Sequence, residues 1–231
     1  SRGLGDVYKR QVQPEIKKAI DNLIENLKSQ GCEIVEVTLP HTSYAIPVYY
    51  LVAASEASSN LSRYDGVRYG LRDIEKEGGQ PVSDLKEFYK LSRSRGFGDE
   101  VKRRILLGTF ALSAGYYDAY YTKACQVRRL ISDDFSNAFE KCDFVIGPVA
   151  TETAFKIGEK KDDPVSMYYN DILTTPANLA GLPSMSVPVG LDDKGLPMGL
   201  QIIAPSFKDD QMIGFAQAVE EIVDFKEKPN V

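Results

Sequence analysis

Covalent catalysis needs a nucleophile, and this sequence offers few places for one. Ser58-Ser59 is the only adjacent serine pair. It lies in Glu56-Ala57-Ser58-Ser59-Asn60, inside a predicted helix. No flanking glycine exposes a hydroxyl or supplies backbone N–H donors. That setting suits a helix-surface pair better than a nucleophile. Neither a GxSxG elbow nor a phosphate-binding glycine loop ending in Lys-Ser or Lys-Thr is present. His41 is the one histidine of the 231 residues. A Ser-His-Asp triad must therefore use it or not exist, and a multi-histidine metal centre is excluded. His41 follows Pro40 just after an apparent strand, where a surface or capping role is expected. Cys32, Cys125 and Cys142 are odd in number and widely spaced. They fit neither a disulfide framework nor a CxxC metal site and read as reduced thiols. The basic run Lys102-Arg103-Arg104 lies on a predicted helix and, by itself, reads as a solvated face. From the residues alone no catalytic constellation emerges.

The elements around these residues describe an ordinary globular chain. Hydrophobic residues make up 43% and charged residues 26%, with a net charge of −5. Acids and bases are interspersed, which argues against a basic nucleic-acid face. No apolar run approaches the roughly 20 residues that span a bilayer. The start, residues 1–11, has no apolar core of a signal peptide and no clear periodicity. It reads as a non-native junction rather than as part of the fold. Residues 14–30 then carry Ile16, Ile20, Leu23, Ile24 and Leu27 at helical spacing, with Pro14 in the first turn and Gly31 after the last. Glu33–Leu39 alternates and predicts a strand, ended by Pro40. Residues 45–63 predict a helix, 65–82 a loop, and Ser83 to about Ser92 a short helix. Gly96-Phe97-Gly98 is a break after which Asp99 can cap the next helix. Residues 100–141 predict two helices meeting near Gly115, and Phe144–Gly147 a short buried strand. Met185–Val189 and Gly199–Ala204 predict paired strands around an Asp192-Asp193-Lys194-Gly195 turn. A last helix starts near Asp209, with Met212, Ala216, Val219 and Ile222 inward. Tyr117, Tyr120 and Tyr121 fall near one helical face; core packing with hydroxyls at the rim is expected there, with a partner surface as the alternative.

Three segments near the C-terminus carry a resemblance. Asn178-Leu179-Ala180-Gly181-Leu182-Pro183, Ser186-Val187-Pro188-Val189-Gly190 and Gly195-Leu196-Pro197-Met198-Gly199-Leu200-Gln201 resemble the closing block of the amidase-signature superfamily. Three others are narrower: Ser55–Gly66, Arg95–Ile105 continuing to Gly115-Tyr116-Tyr117, and Asp171-Ile172-Leu173-Thr174-Thr175-Pro176. Together they resemble the A-subunit family of the glutamyl-tRNA(Gln)/aspartyl-tRNA(Asn) amidotransferases. The resemblance covers residue 12 to the C-terminus.

It implies an α/β fold, an α/β/α layered domain around a mixed sheet, of which 12–231 is the C-terminal part. It implies a glutaminase subunit that releases ammonia from glutamine for amidation of misacylated Glu-tRNA(Gln). In that family a lysine and two serines do the chemistry. Their glycine-serine-rich segment should lie N-terminal to this chain, so no catalytic residue carries over and the chain alone is expected to be inactive. What carries over is the glutamine pocket. Arg104 matches an arginine for the α-carboxylate, with Arg103 as the alternative register. Asp171 matches an aspartate for the α-ammonium, with helix capping as its other reading. Tyr49 matches a tyrosine lining the pocket, with core packing as its alternative. The resemblance further implies a cytoplasmic complex with amidotransferase subunits B and C. The chain's own subunit would need no cofactor; ATP and Mg²⁺ would be used by the partner subunit, which would also hold most of the tRNA. A stand-alone amidase-signature hydrolase of another amide, and a non-catalytic scaffold, are the other readings.

Overall fold

Pro14 fixes the first turn of helix α1 (Pro14–Ser29), Glu15 faces its positive end and Lys28 its negative end. Gly31 follows at positive φ, and the Cys32 N–H closes the helix onto Leu27. This is the opening element of the computed structural model, which describes residues 12–74, 79–159 and 170–228. The stretch read as a junction and part of the 65–82 loop lie outside them.

The chain divides into two compact units. One comprises the residues up to Ile46 together with those from Val127 onward. The other is Pro47–Gln126.

In the first unit, β1 (Val145–Pro148), β2 (Ser184–Leu191) and β3 (Pro197–Ile203) form an antiparallel sheet in the order β1-β3-β2. Central strand β3 pairs Leu200 with Val187 and Pro148, and Ile202 with Met185 and Ile146. A bulge interrupts β2 between Pro188 and Gly190. Side chains alternate along the strands. Ile146, Val187, Leu200 and Ile202 pack with the apolar stripe of α1. Met212, Ala216 and Val219 of the last helix complete that core; its range is Asp209–Val223. Each such side chain removed from water contributes about 1.5–3 kcal/mol. Fitting this stripe to this face fixes the register.

The predicted strand at Glu33–Leu39 is a correction. Val37 and Leu39 are buried there, as the alternation requires. The segment has no regular secondary structure and belongs to no ladder among the described residues. Period two reports a half-buried chain, and pairing needs a neighbour that the pattern does not reveal. The segment ends in a 3₁₀ turn, Pro40–Tyr44. There the His41 N–H and Nδ1 both meet the carboxylate of Asp134, at 2.7 and 2.8 Å. Asp134 is buried and lies on the helix Lys123–Phe139. The lone histidine is thus a clamp within this unit rather than a free surface residue. Among the described residues no serine hydroxyl is hydrogen-bonded to it.

In the second unit, helix α2 (Ala45–Leu61) and helix α4 (Asp99–Ala111) cross closely. Gly108 makes that possible: a Cβ there would lie 2.0 Å from the Ala54 carbonyl oxygen and 2.7 Å from Ser58 Cβ. The Ser58 hydroxyl meets Thr109 Oγ1 at 3.0 Å across the same crossing, so Ser58 is occupied with packing. Between them, α3 (Leu85–Gly96) starts at Asp84, whose side chain accepts from the Lys86 N–H. Arg93 of α3 donates to the carbonyls of Leu61 and Tyr64, closing the C-terminal end of α2. The expected cap at Asp99 is displaced by one residue. Gly98 is the cap position and Asp99 is the first helical residue, where its charge still suits the helix dipole. After α4 the chain turns at Gly115 and passes through a π turn, Asp118–Thr122, into helix α5 (Lys123–Phe139). A last short helix of the first unit, α6 (Thr175–Ala180), ends at Gly181 in the left-handed region. With Asp209–Val223 as α7, the order of helices is complete for the described residues.

Two glycines should respond in opposite directions. Gly108→Ala forces a methyl into the α2–α4 crossing and should lower unfolding stability by about 3 kcal/mol. Gly214 lies inside α7, exposed, with nothing within 4 Å of an added Cβ. Gly214→Ala should stabilise by about 0.5–1 kcal/mol. Urea unfolding of both variants reads the difference; a shift of the same sign in both contradicts this account.

The β2–β3 turn should give a pH signature. The Asp192 carboxylate accepts from the Leu196 and Lys194 N–H groups and from the Thr153 hydroxyl. These bonds, the Leu196 N–H first, hold it below the ordinary carboxylate range. A depressed folded-state pKa contributes stability above the unfolded value, and the contribution is lost as pH falls through the folded one. The stability gap between the natural chain and Asp192→Asn should therefore be full at neutral pH and close below about pH 4. A gap independent of pH would show that the bonds do not depend on the charge.

Candidate functional site

Tyr49 on α2 and Arg104 on α4 meet because Gly108 lets these helices approach. The Arg104 Nη1–H donates to the Tyr49 hydroxyl at 3.4 Å, and its Nε–H to Glu100 Oε1 at 3.1 Å, one turn earlier. The Tyr49 hydroxyl, then Glu100, push the arginine pKa up from its ordinary value. The guanidinium is therefore a permanent cation held on two sides. Arg103 turns away: its side chain is 76% exposed, against 39% for Arg104, and it pairs with the other oxygen of Glu100. Of the two registers open in the sequence, Arg104 is the one beside Tyr49. Such a group can receive a carboxylate through paired charge-assisted bonds.

Asp171 belongs to the other unit. It lines a cleft of about 490 Å³. The Asp171 backbone carbonyl accepts from the N–H groups of Thr174 and Thr175, at 3.2 and 2.9 Å. Its carboxylate takes no part in capping α6, whose cap position is Thr174 without a side-chain bond. Among the described residues the carboxylate has no hydrogen-bond partner, and Asp171 is an exposed residue of the cleft lining. An exposed carboxylate on a cleft can receive an ammonium group. The walls are apolar at Ile16, Phe155 and Met198 and polar at Thr153 and Ser186. Thr153 is buried and held by Asp192 at 2.8 Å.

A second hollow of about 300 Å³ adjoins it, and the two share Val149, Thr174 and Ser186. Both volumes fall in the roughly 300–1,000 Å³ range of small-molecule sites. Sequence reading passes over Thr153, Ser186 and Gly199. A signal exists for two of them. If Val187 and Leu200 face the core, then Ser186 and Gly199 must face the other way.

The tyrosine group departs from expectation. Tyr116, Tyr117 and Tyr120 are 45, 45 and 38% exposed rather than core. Tyr116 and Tyr120 cluster with Phe110, while Tyr117 pairs with Tyr121. Tyr120 and Tyr121, one from each group, lie in the π turn. Burial raises the pKa of the Tyr121 hydroxyl, and Cys125, to which it is hydrogen-bonded, adds to the shift. Among the described residues no group of three His, Cys, Asp or Glu side chains is placed to hold a metal ion. No described helix is long and apolar enough to cross a membrane.

The chain has close relatives among known proteins. It is 56% identical over 209 residues to the A subunit of glutamyl-tRNA(Gln) amidotransferase from Bdellovibrio bacteriovorus, covering 90% of this chain and 42% of the relative. Against the protein of the same name from Pelagibacter ubique it is 52% identical over 227 residues, covering 98% of this chain and 45% of the relative. The crystal structure of the Thermotoga maritima protein of that name superposes with a TM-score of 0.68 at 36% identity, over 94% of this chain and 41% of that one. An amidase crystal structure at 22% identity has the same TM-score, 0.68, over 95% of this chain and 44% of that one, which speaks to the fold. The chain thus spans less than half the length of these relatives. A family model described as Amidase matches residues 5–213, starting inside the stretch read as a junction. By that match, which takes in nearly the whole chain, the protein belongs to the amidase family.

Proposed function

We propose that this chain is the C-terminal, substrate-recognising part of a glutaminase subunit, which releases ammonia from glutamine for a tRNA-dependent amidotransferase. The observation that carries the reading is the likeness, over nearly the whole chain, to relatives named as the A subunit of glutamyl-tRNA(Gln) amidotransferase. Glutamine carries a carboxylate and an ammonium on its α-carbon. Arg104, steadied by Tyr49 and Glu100, is suited to the carboxylate. Asp171, an exposed acidic residue lining a cleft, is suited to the ammonium. A neutral amide would use neither charge.

The chemistry itself is assigned to a lysine and two serines supplied by the rest of the subunit. Among the described residues the serine hydroxyl bonds end on backbone groups, on Thr109 or on Gln201, never on a lysine amine. A pocket can bind and orient, but amide hydrolysis also needs an activated nucleophile and oxyanion donors. The ammonia would pass to partner subunits B and C, with ATP and Mg²⁺ consumed by the partner that amidates Glu-tRNA(Gln). In this reading the complex works in the cytoplasm and this subunit holds no cofactor.

The test uses the full-length subunit in its complex. Arg104→Ala and Asp171→Asn should each raise the KM for glutamine by the loss of a charged partner, about 2–5 kcal/mol if the pair is desolvated. Amidation driven by added ammonium should keep its KM. For Asp171→Asn, an amide without an α-amino group should be used as well as by the natural enzyme. Equal losses with glutamine and ammonium for either variant would count against the reading. So would ammonia release from glutamine by the 231-residue chain alone.

A further inference from the structure

Glycine inside a strand weakens it, because it loses the most freedom on folding and has no side chain to pack. Gly199 nonetheless sits in β3, the central strand, opposite Pro188. Its backbone does not require glycine, since its φ lies outside the left-handed region. The reason is one of space. A Cβ at Gly199 would stand 3.0 Å from Ser186 Oγ and 3.0 Å from Val149 Cγ2. Gly199 lines the cleft that holds Asp171, and Ser186 and Val149 are walls common to that cleft and the adjoining hollow. The missing methyl therefore leaves free the space between two side chains that line both hollows.

Ser186 adds a polar component at the same point. Among the described residues its hydroxyl has no hydrogen-bond partner, whereas Ser184, two residues earlier on the same face, is engaged by the Gln201 amide at 3.0 Å. Val149 is anchored, its N–H donating to the Gly199 carbonyl at 3.2 Å. That bond fixes the Val149 backbone beside Gly199, so relief from an added methyl is limited to rotation of the Val149 side chain. The methyl would press on Ser186 or fill the space between Ser186 and Val149.

We propose that Gly199 is a specificity-determining residue: its missing side chain, with Ser186 and Val149, sets how long a ligand bound at Asp171 can be. The inference rests on the reading that Asp171 receives the ligand's ammonium. Ser186 is the polar wall of the space beside Gly199, so growth of its side chain should act as growth at Gly199 does.

The experiment uses the full-length subunit in its complex and two zwitterionic amides, glutamine and asparagine, which differ by one methylene. Gly199→Ala should lower kcat/KM for glutamine relative to asparagine by about tenfold, the range in which a pocket discriminates one methylene. The loss should lie in KM. Ser186→Thr, which adds its methyl from the neighbouring strand, should shift the ratio the same way and keeps the test open if Gly199→Ala does not fold. Adding Ser186→Ala to Gly199→Ala should return the ratio toward the natural value. Equal losses on both amides in both variants, or no recovery in the double variant, would make Gly199 a packing residue and overturn the proposal. Asp171→Asn in parallel separates the two ideas. If Asp171→Asn leaves the KM for glutamine unchanged, the ammonium reading fails, while the amide ratio still decides whether Gly199 governs length. If Asp171→Asn raises KM and the ratio does not move with Gly199 or Ser186, only the present inference fails.

Discussion

Side-chain alternation along β3 ties the core of the first unit to its cleft. Leu200 and Ile202 point one way, into the packing with α1 and α7. Gly199 and Gln201 point the other way, into the two hollows. Because the period is two, neither set can change sides alone. A slip of one residue against β1 or β2 would bury an amide and a glycine in the core and turn two large apolar side chains toward the cleft. The hydrophobic fit of α1 to the sheet, built from five buried residues of one helix, therefore also decides what the cleft is lined with. The cleft and the core share Ile16 and Met198, so the cleft's polar edge depends on how that core is packed.

In the second unit the corresponding constraint is the closeness of α2 and α4. Arg104 could swing freely on an exposed helix. It is held instead by one contact within its own helix, to Glu100, and one across the crossing, to Tyr49. The first is of the common i,i+4 kind and contributes little where both groups are exposed. The second exists only because Gly108 has no side chain. Two glycines in two units thus matter by absence, Gly108 at a helix crossing and Gly199 beside the cleft.

Elements whose signals are local can be read from the sequence. The apolar stripe and terminal residues of α1 mark its extent, and the hairpin around Asp192 marks β2 and β3 within three residues. Resemblance points to Tyr49 and Arg104 as site residues, and the geometry shows why they go together. What escapes depends on partners distant in sequence. The segment at Val37 and Leu39 has the pattern of a strand without a ladder. The His41 contact joins residues 93 positions apart, which no local pattern reports. Helical spacing carried through Asp118–Thr122 places the tyrosines in a core, but a π turn interrupts the α-helical period there, and Tyr116, Tyr117 and Tyr120 are exposed while Tyr121 is half-buried. Ser186 and Gly199 lie within a recognisable motif that gives them no role, since their meaning lies in the space beside them.

The clamp between the Pro40–Tyr44 turn and α5 has a practical consequence. The turn leads directly into α2, and the only imidazole in the chain is the group that docks it. A spectrum recorded at histidine ring frequencies would contain the signals of this one ring, with no assignment problem and no label to introduce. Its line shape would report whether the turn stays seated on Asp134 when ligand, partner or denaturant is added. Chance in composition has made the start of α2 an intrinsic single-site probe.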